Sequence, residues 1–118
     1  MQNKVFLNPE GFLEIVFVGH QTGETFQDVY EKVLPLLAGM KAEGTPLRGL
    51  FDLTLQTGYS LNSDKAAMKF LEETDYDRVA MYHVPHAEVT KAIILAMGKS
   101  DNTKLFESRE EALAWLMA

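Results

Sequence analysis

Short apolar runs alternate along the chain with segments whose apolar residues recur at helical spacing. The apolar runs 5–7 and 12–19 flank the turn residues 8–11, so they predict an antiparallel hairpin. The second run has apolar side chains on both faces, and Glu14 is its one polar residue. We therefore expect a sheet that begins with two antiparallel strands, the second buried on both sides.

The segment after residue 23 has the spacing of an amphipathic helix that ends before Gly44. Thr25 and Asp28 stand three residues apart, which predicts a capping box at its start. Pro35 lacks a backbone N–H and crowds the preceding turn, so a bend or break is expected there. The predicted inner face consists of Phe26, Val29, Tyr30, Val33, Leu34, Leu37 and Met40.

A buried central strand is predicted at residues 47–53, where Leu50 and Leu53 should face the core. The polar, glycine-containing segment 54–63 is interpreted as a loop that leads into a second helix over 63–73. In sheets built from strand–helix units, ligands and partners gather where strand ends meet helix starts. This loop is therefore the first place to look for a site.

Two further strand–helix units complete the pattern. Residues 78–84 predict a strand, and 86–97 a helix whose inner face is Val89, Ala92, Ile93 and Ala96. Residues 103–106 predict a last strand, and Ser108 and Glu111 form a capping box for a fourth helix. That helix should pack through Ala112, Leu113, Trp115 and Leu116. The order indicates one α/β domain with a mixed sheet of about five strands and about four helices.

Composition narrows the classes of function. A chain of 118 residues forms one domain and needs no disulfide or metal to hold its core. The absence of cysteine removes thiol chemistry and fits a cytoplasmic protein. We find no secretory signal and no apolar run of the ~20 residues that span a bilayer. The formal net charge of −6 argues against nucleic-acid and anionic-membrane partners.

Four segments together resemble the STAS-like superfamily, and most closely its SpoIIAA-like branch. They are residues 30–35, 50–53, 77–80 and 106–116, and the last ends in an Ala-x-x-Trp-Leu helix. The resemblance implies a STAS-like sandwich that acts as a regulatory, protein-binding module and not as an enzyme. The branch is also similar to SEC14-like lipid-binding domains, which implies an apolar small molecule as the alternative ligand.

By position, the resemblance implies a serine phosphoacceptor in the predicted loop, at Ser60 or Ser63. The predicted partner-binding or switch residues are Asp52, Thr57, Tyr59, Ser60, Leu61 and Ser63. Simpler roles stay open for several of them. Ser63 fits a helix cap, Ser60 fits a turn, and Asp52 fits a bond to the backbone amides that follow it.

The histidines suggest a second group of candidates. His20, His83 and His86 all follow or end predicted strands, so they could form the rim of a ligand site. No cysteine exists and Glu88 is the nearest carboxylate to the pair, so we expect no metal and no cofactor. A histidine-dependent activity near His20 and His83 is the least favoured interpretation, because no nucleophile is paired with them in sequence.

The leading hypothesis is a protein-interaction module that binds through the 54–63 loop and is switched by serine phosphorylation. A carrier of an apolar small molecule is the alternative, and a homodimer is left open. A pocket of several hundred Å³ lined by Met, Phe and Leu would favour the carrier. Exposed Tyr59 and Leu61 would favour the partner.

Overall fold

The computed structural model of the protein describes the backbone of residues 2–118, and the side chains of these residues except 61–64, 67 and 71. The described chain forms five strands and four helices. The strands are β1 (Lys4–Asn8), β2 (Phe12–Gln21), β3 (Arg48–Tyr59), β4 (Arg78–Tyr82) and β5 (Thr103–Phe106). The helices are α1 (Gly23–Ala42), α2 (Leu61–Glu73), α3 (Ala87–Ala96) and α4 (Arg109–Leu116).

The five strands form one sheet in which their spatial order is the same as their order in the chain. β1 and β2 pair antiparallel, whereas β2, β3, β4 and β5 pair parallel. The predicted mixed sheet, opening hairpin and four helices are confirmed. No helix in the described part of the chain is long and apolar enough to cross a membrane.

The sheet has a core on each face. On one face, α1 and α2 cover a cluster built from Leu13, Ile15, Phe17, Val29, Val33, Leu37, Met40, Phe51, Phe70, Tyr76, Val79 and Met81. On the other face, α4 covers a smaller cluster of Phe12, Leu50, Ala80, Tyr82, Ala112 and Leu116. The predicted burial of Leu50, Val79 and Met81 is confirmed, and Leu53 is half-buried at the edge of the first cluster.

The first helix differs from its prediction at its start and in its middle. Thr22 is the N-cap and forms a reciprocal capping box with Thr25, so the predicted pair Thr25–Asp28 is wrong. Thr22 can cap because its backbone is still extended when the helix begins. Pro35 does not break the helix, which is continuous through it, and Leu34 is exposed instead of buried.

The segment predicted as the 54–63 loop is mostly strand. β3 continues to Tyr59, α2 begins at Leu61, and only Ser60 connects them. The extension pairs with β2, which also runs past its predicted end at residue 19 to Gln21. β4 lies beside β3 only as far as Asp52, so the extension has a strand on one side only. Polar residues fit there because an edge is not enclosed by neighbouring strands.

The unit β4–α3 also departs from the prediction. β4 ends at Tyr82, two residues early, because His83 has a positive φ of 55° and cannot continue a strand. α3 buries Ile94, whereas Val89, Ala92 and Ala96 of its predicted inner face are exposed. The helix is therefore rotated by about one residue from the predicted orientation.

Candidate functional site

An apolar crevice of about 110 Å³ lies between the sheet and the helices α2 and α3. Its lining residues are Phe17, Phe26, Phe51, Leu53, Gln56, Tyr59, Met68, Phe70, Met81, Val84, Pro85, Val89, Thr90, Ile93 and Ile94. None of these residues is charged, and Gln56, Tyr59 and Thr90 supply the polar groups. Apolar walls with a few polar groups are typical of sites for small organic ligands.

The unequal strand lengths create this crevice. β3 continues for seven residues beyond Asp52, the last position that pairs with β4. After Tyr82 the chain leaves the sheet, so Val84 and Pro85 form a wall beside the β3 extension instead of a strand. Phe51, at the floor, packs against Phe17 and Phe70 with ring centroids 6.0 and 5.8 Å apart. The floor of the crevice thus consists of aromatic rings packed against one another.

Among the predicted switch residues whose side chains are described, Tyr59 lines this crevice and Ser60 follows it in the chain. Tyr59 is half-buried, lines the crevice and contacts the ring of His86, with centroids 6.4 Å apart. Ser60 is the N-cap residue of α2; its backbone N–H donates to Gln21 O at 3.0 Å, and its Oγ is shielded from solvent. The side chains of Leu61 and Ser63 lie outside the described residues. Thr57 is exposed on the β3 extension.

The three histidines contact different residues of β3 and line no part of the crevice. His20 pairs with Gly58 in the sheet, His83 Nδ1 lies 2.6 Å from Thr54 Oγ1, and His86 reaches the rim through Tyr59. Within the described part of the chain, no cluster of three or more His, Asp or Glu side chains could hold a metal ion. His86 thus lies beside a lining residue and the other two do not, and a ligand rim formed by the histidines stays a prediction.

A second polar feature crosses the opposite face of the sheet, beside α4. Arg109 donates two hydrogen bonds to Glu14, Nη1 to Oε2 at 2.9 Å and Nη2 to Oε1 at 3.0 Å. Arg109 Nη1 also lies 3.3 Å from the hydroxyl of Tyr82, which hydrogen-bonds Asp52. Asp52 Oδ1 accepts from Thr54 N at 2.9 Å, as the simpler interpretation of Asp52 predicted. We refer to these residues, Glu14, Arg109, Tyr82, Asp52 and Thr54, as the polar row.

The polar row shifts the pKa values of its members. Burial would raise the pKa of Asp52, but hydrogen bonds from Thr54 and Tyr82, together with the nearby His83, lower it overall. Burial raises the pKa of the Tyr82 hydroxyl, and the carboxylate of Asp52 adds to the effect. Hydrogen bonding to Glu14 and Tyr82 raises the pKa of Arg109, so this side chain stays charged. At neutral pH the row thus contains an ionised Asp52, a charged Arg109 and a protonated Tyr82 hydroxyl.

Sequence reasoning raised an apolar site as the alternative, but it missed Arg109 and, except for Tyr59, did not name the lining of the crevice among the site residues. Glu14, a lone acid in an apolar strand, was the available signal for Arg109, because a buried carboxylate requires a partner. The lining of the crevice had no such signal, since its residues come from six elements and from the connection between β4 and α3. Chemically, the crevice offers an apolar surface to a ligand. The polar row offers little, because most of its donors and acceptors are hydrogen-bonded to one another.

Comparison with known proteins places this geometry in context. A family model described as SpoIIAA-like matches residues 12–117. An uncharacterized protein with a SpoIIAA-like fold from Shewanella loihica superposes with a TM-score of 0.69 at 24% identity, covering 97% of this chain and 91% of that one. No curated protein matches the chain.

The anti-sigma factor antagonist SpoIIAA also shares the fold. Its unphosphorylated form superposes with a TM-score of 0.61 at 9% identity, covering 95% of this chain and 94% of that one. The phosphorylated form, from Bacillus, gives a TM-score of 0.61 at 10% identity, with coverage of 96% and 97%. At these identities the likeness concerns the fold alone.

Proposed function

This chain belongs to the SpoIIAA-like family, and on that basis we propose that it is a non-catalytic binding module whose crevice takes an apolar small molecule. One observation carries the proposal: the lining of the crevice is uncharged and almost wholly apolar. Apolar surface that the fold itself leaves unfilled gains free energy when a ligand removes it from water. Tyr59 supports the same conclusion, because it lines the crevice instead of standing out as an anchor for a partner.

The size of the crevice defines what it accepts. An engineered apolar cavity of about 150 Å³ binds benzene, whereas drug-sized ligands occupy about 300–1,000 Å³. At about 110 Å³ the crevice is smaller than the pocket of several hundred Å³ expected of a carrier, so it holds one ring or the end of one alkyl chain. The rest of a longer molecule would extend past Val89, which is 51% exposed at the crevice wall.

A binding measurement with a neutral probe tests the proposal. N-phenyl-1-naphthylamine fluoresces strongly in apolar sites. Its phenyl ring matches the one ring that the crevice holds, with the naphthyl group extending past Val89, and we expect saturable binding by the wild-type protein. Ile93→Lys places a charge in the crevice wall and should weaken binding at least about tenfold. Leu95→Lys adds the same charge on the outward side of α3, where Leu95 is 68% exposed, and should bind like wild type. Equal binding by both variants, or none by the wild type, would contradict the proposal.

A second candidate is a regulatory role through a protein partner, with a serine switch at the start of α2. Its support is the fold shared with an anti-sigma factor antagonist that is known in unphosphorylated and phosphorylated forms. Ser60 stands at the amino end of α2, where backbone amides and the helix dipole favour a phosphate. The partner surface would comprise the proposed residues Asp52, Thr57, Tyr59, Ser60, Leu61 and Ser63.

The two candidates differ in what their variants lose. If a partner binds here, Ser60→Asp, Ser63→Asp and Tyr59→Ala should each lose a protein that the wild type captures from its own host. If the crevice binds a small molecule, Tyr59→Ala should weaken binding of the naphthylamine probe, because Tyr59 lines the crevice. Retention of the complete set of captured proteins by all three variants would exclude this partner surface.

A further inference from the structure

The connection that carries α3 contains two residues in the left-handed backbone region. His83 has a φ of 55° and His86 a φ of 52°, and no other non-glycine residue of the described chain has a positive φ. Residues other than glycine seldom adopt this region, and when they do, it is usually where the chain changes direction sharply. Val84 and Pro85 lie between them and line the crevice, so this connection is both a support of α3 and a wall of the site.

α3 is held to the rest of the molecule by little buried surface. Of its ten residues only Ile94 is buried, at 3% exposure, while Val89 and Leu95 are 51% and 68% exposed. α1 by comparison buries Val29, Val33, Leu37 and Met40. Elements with few buried apolar contacts open at lower free energy than the rest of a structure.

Two contacts tie the connection to the β3 extension. The exposed pair Thr54 Oγ1 and His83 Nδ1, 2.6 Å apart, joins its first residue to β3. The rings of Tyr59 and His86, at 6.4 Å, join its last residue to the end of the same strand. The Tyr59–His86 contact lies at the crevice, which Tyr59 lines, whereas Thr54 belongs to the polar row on the opposite face of the sheet. Together the two contacts hold both ends of the connection against β3.

We propose that α3, together with the 83–86 connection that carries it, is a lid on the crevice, latched by the Thr54–His83 hydrogen bond. In the described conformation the lid is closed and the crevice holds about 110 Å³. Outward rotation of α3 lets larger apolar molecules enter. The purpose of the lid rests on the proposed function, whereas its motion does not and can be measured without any ligand.

The absence of cysteine from the chain makes thiol labelling a direct test. Ile94→Cys reports lid opening, Val33→Cys in the core of α1 reports global unfolding, and Leu95→Cys is permanently exposed. With an aromatic disulfide reagent, Ile94→Cys should react at least about tenfold faster than Val33→Cys. Rates are corrected for each variant's own free energy of unfolding. If the two buried thiols then react equally fast, α3 opens only with the whole domain and the lid is excluded.

The latch is tested in the Ile94→Cys background. Thr54→Val keeps the shape of the side chain but removes the bond to His83, and should accelerate labelling roughly three- to tenfold, the effect of one ordinary hydrogen bond. Thr57→Val is the matched control, since Thr57 is exposed on the same strand extension, and should leave the rate unchanged. Equal labelling rates for the two valine variants would exclude the latch.

Native-state hydrogen exchange of the wild type gives an independent measurement if Ile94→Cys does not fold. Amides of α3 should exchange before those of α1 and α4, and uniform protection across the three helices would overturn the lid. A fast-opening α3 in a protein that does not bind N-phenyl-1-naphthylamine would leave the lid standing and refute the proposed function. If the probe binds but α3 opens no faster than the whole domain unfolds, the proposed function stands and the lid is refuted.

Discussion

Glu14 is the charged side chain that the described fold buries most, at 6% exposure. A carboxylate in that position needs strong donors, which Arg109 and Asn8 supply. Arg109 lies 95 residues away in sequence. A pattern of neighbouring residues therefore contains no information on the Glu14–Arg109 pair. The hydrogen bond that Asp52 accepts from the backbone N–H of Thr54, by contrast, is local and was predictable.

Removal of the guanidinium should destabilise the protein. We expect Arg109→Met to lower the free energy of unfolding by about 1–3 kcal/mol, because the buried carboxyl group of Glu14 then loses the two hydrogen bonds that Arg109 donates. The loss is smaller than for a fully buried pair, since the side chain of Arg109 is 41% exposed. Urea denaturation measures it, and Lys91→Met, which breaks an exposed pair with Glu88, should change little. If both variants lose the same unfolding free energy, the Glu14–Arg109 pair contributes no more than the exposed pair.

Asp52 gives the protein an acid-sensitive contribution to stability. Its folded-state pKa lies below the unfolded value of about 3.9. The contribution is therefore complete above the unfolded pKa and is lost as the pH falls through the folded pKa. Asp52→Asn should be less stable than wild type at pH 7, and the difference should shrink below about pH 4. Thermal unfolding across that range checks it, and a difference independent of pH would contradict the assignment.

At the scale of elements, strand and helix order followed from periodicity, but the ends of three strands, the starts of two helices and one helix face did not. The β3 extension reads as a loop because its polar residues sit on an edge that no neighbouring strand encloses. α3 is apolar on nearly every side, so periodicity indicates a helix without fixing which side faces inward. The α4 cap at Ser108 and Glu111 was predictable, since its two residues recognise each other locally.

α4 should contribute strongly to stability despite its eight residues. Leu116 is completely buried against the sheet, so Leu116→Ala should cost about 2–5 kcal/mol of unfolding free energy. Leu95→Ala is the matched control on the exposed side of α3 and should cost close to nothing. Similar midpoints for the two variants in guanidinium chloride would mean that α4 does not close this core.

Ser60 connects β3 directly to α2, and its Oγ is shielded from solvent. An acidic group there must either be desolvated or displace the helix start. We expect Ser60→Asp to lower the melting temperature by several degrees, and Ser60→Ala to lower it less. Differential scanning calorimetry decides between this result and an unchanged melting temperature, which would indicate that the serine turns outward freely.

At the scale of the whole molecule, one measurement reports both ligand and assembly. Native mass spectrometry of protein from its own host should show the 13.3 kDa chain carrying an additional small mass, which Ile93→Lys should lose. A wild-type spectrum of the bare chain alone would count against a retained ligand. The same spectrum gives the subunit number and so decides whether the chain forms the homodimer that the sequence leaves open.

The sheet places its strands in the order in which they are synthesised. Each strand can therefore join the sheet as soon as it leaves the ribosome, with no need to insert between two strands already paired, and such local pairing favours rapid folding. The exception is the α4 face, where Phe12 and Leu50 remain uncovered until residues 109–116 emerge. A nascent chain stalled before residue 109 should therefore expose the apolar α4 face of its sheet and bind chaperones through it. Once α4 is complete it covers this face, and the domain no longer exposes an aggregation-prone surface.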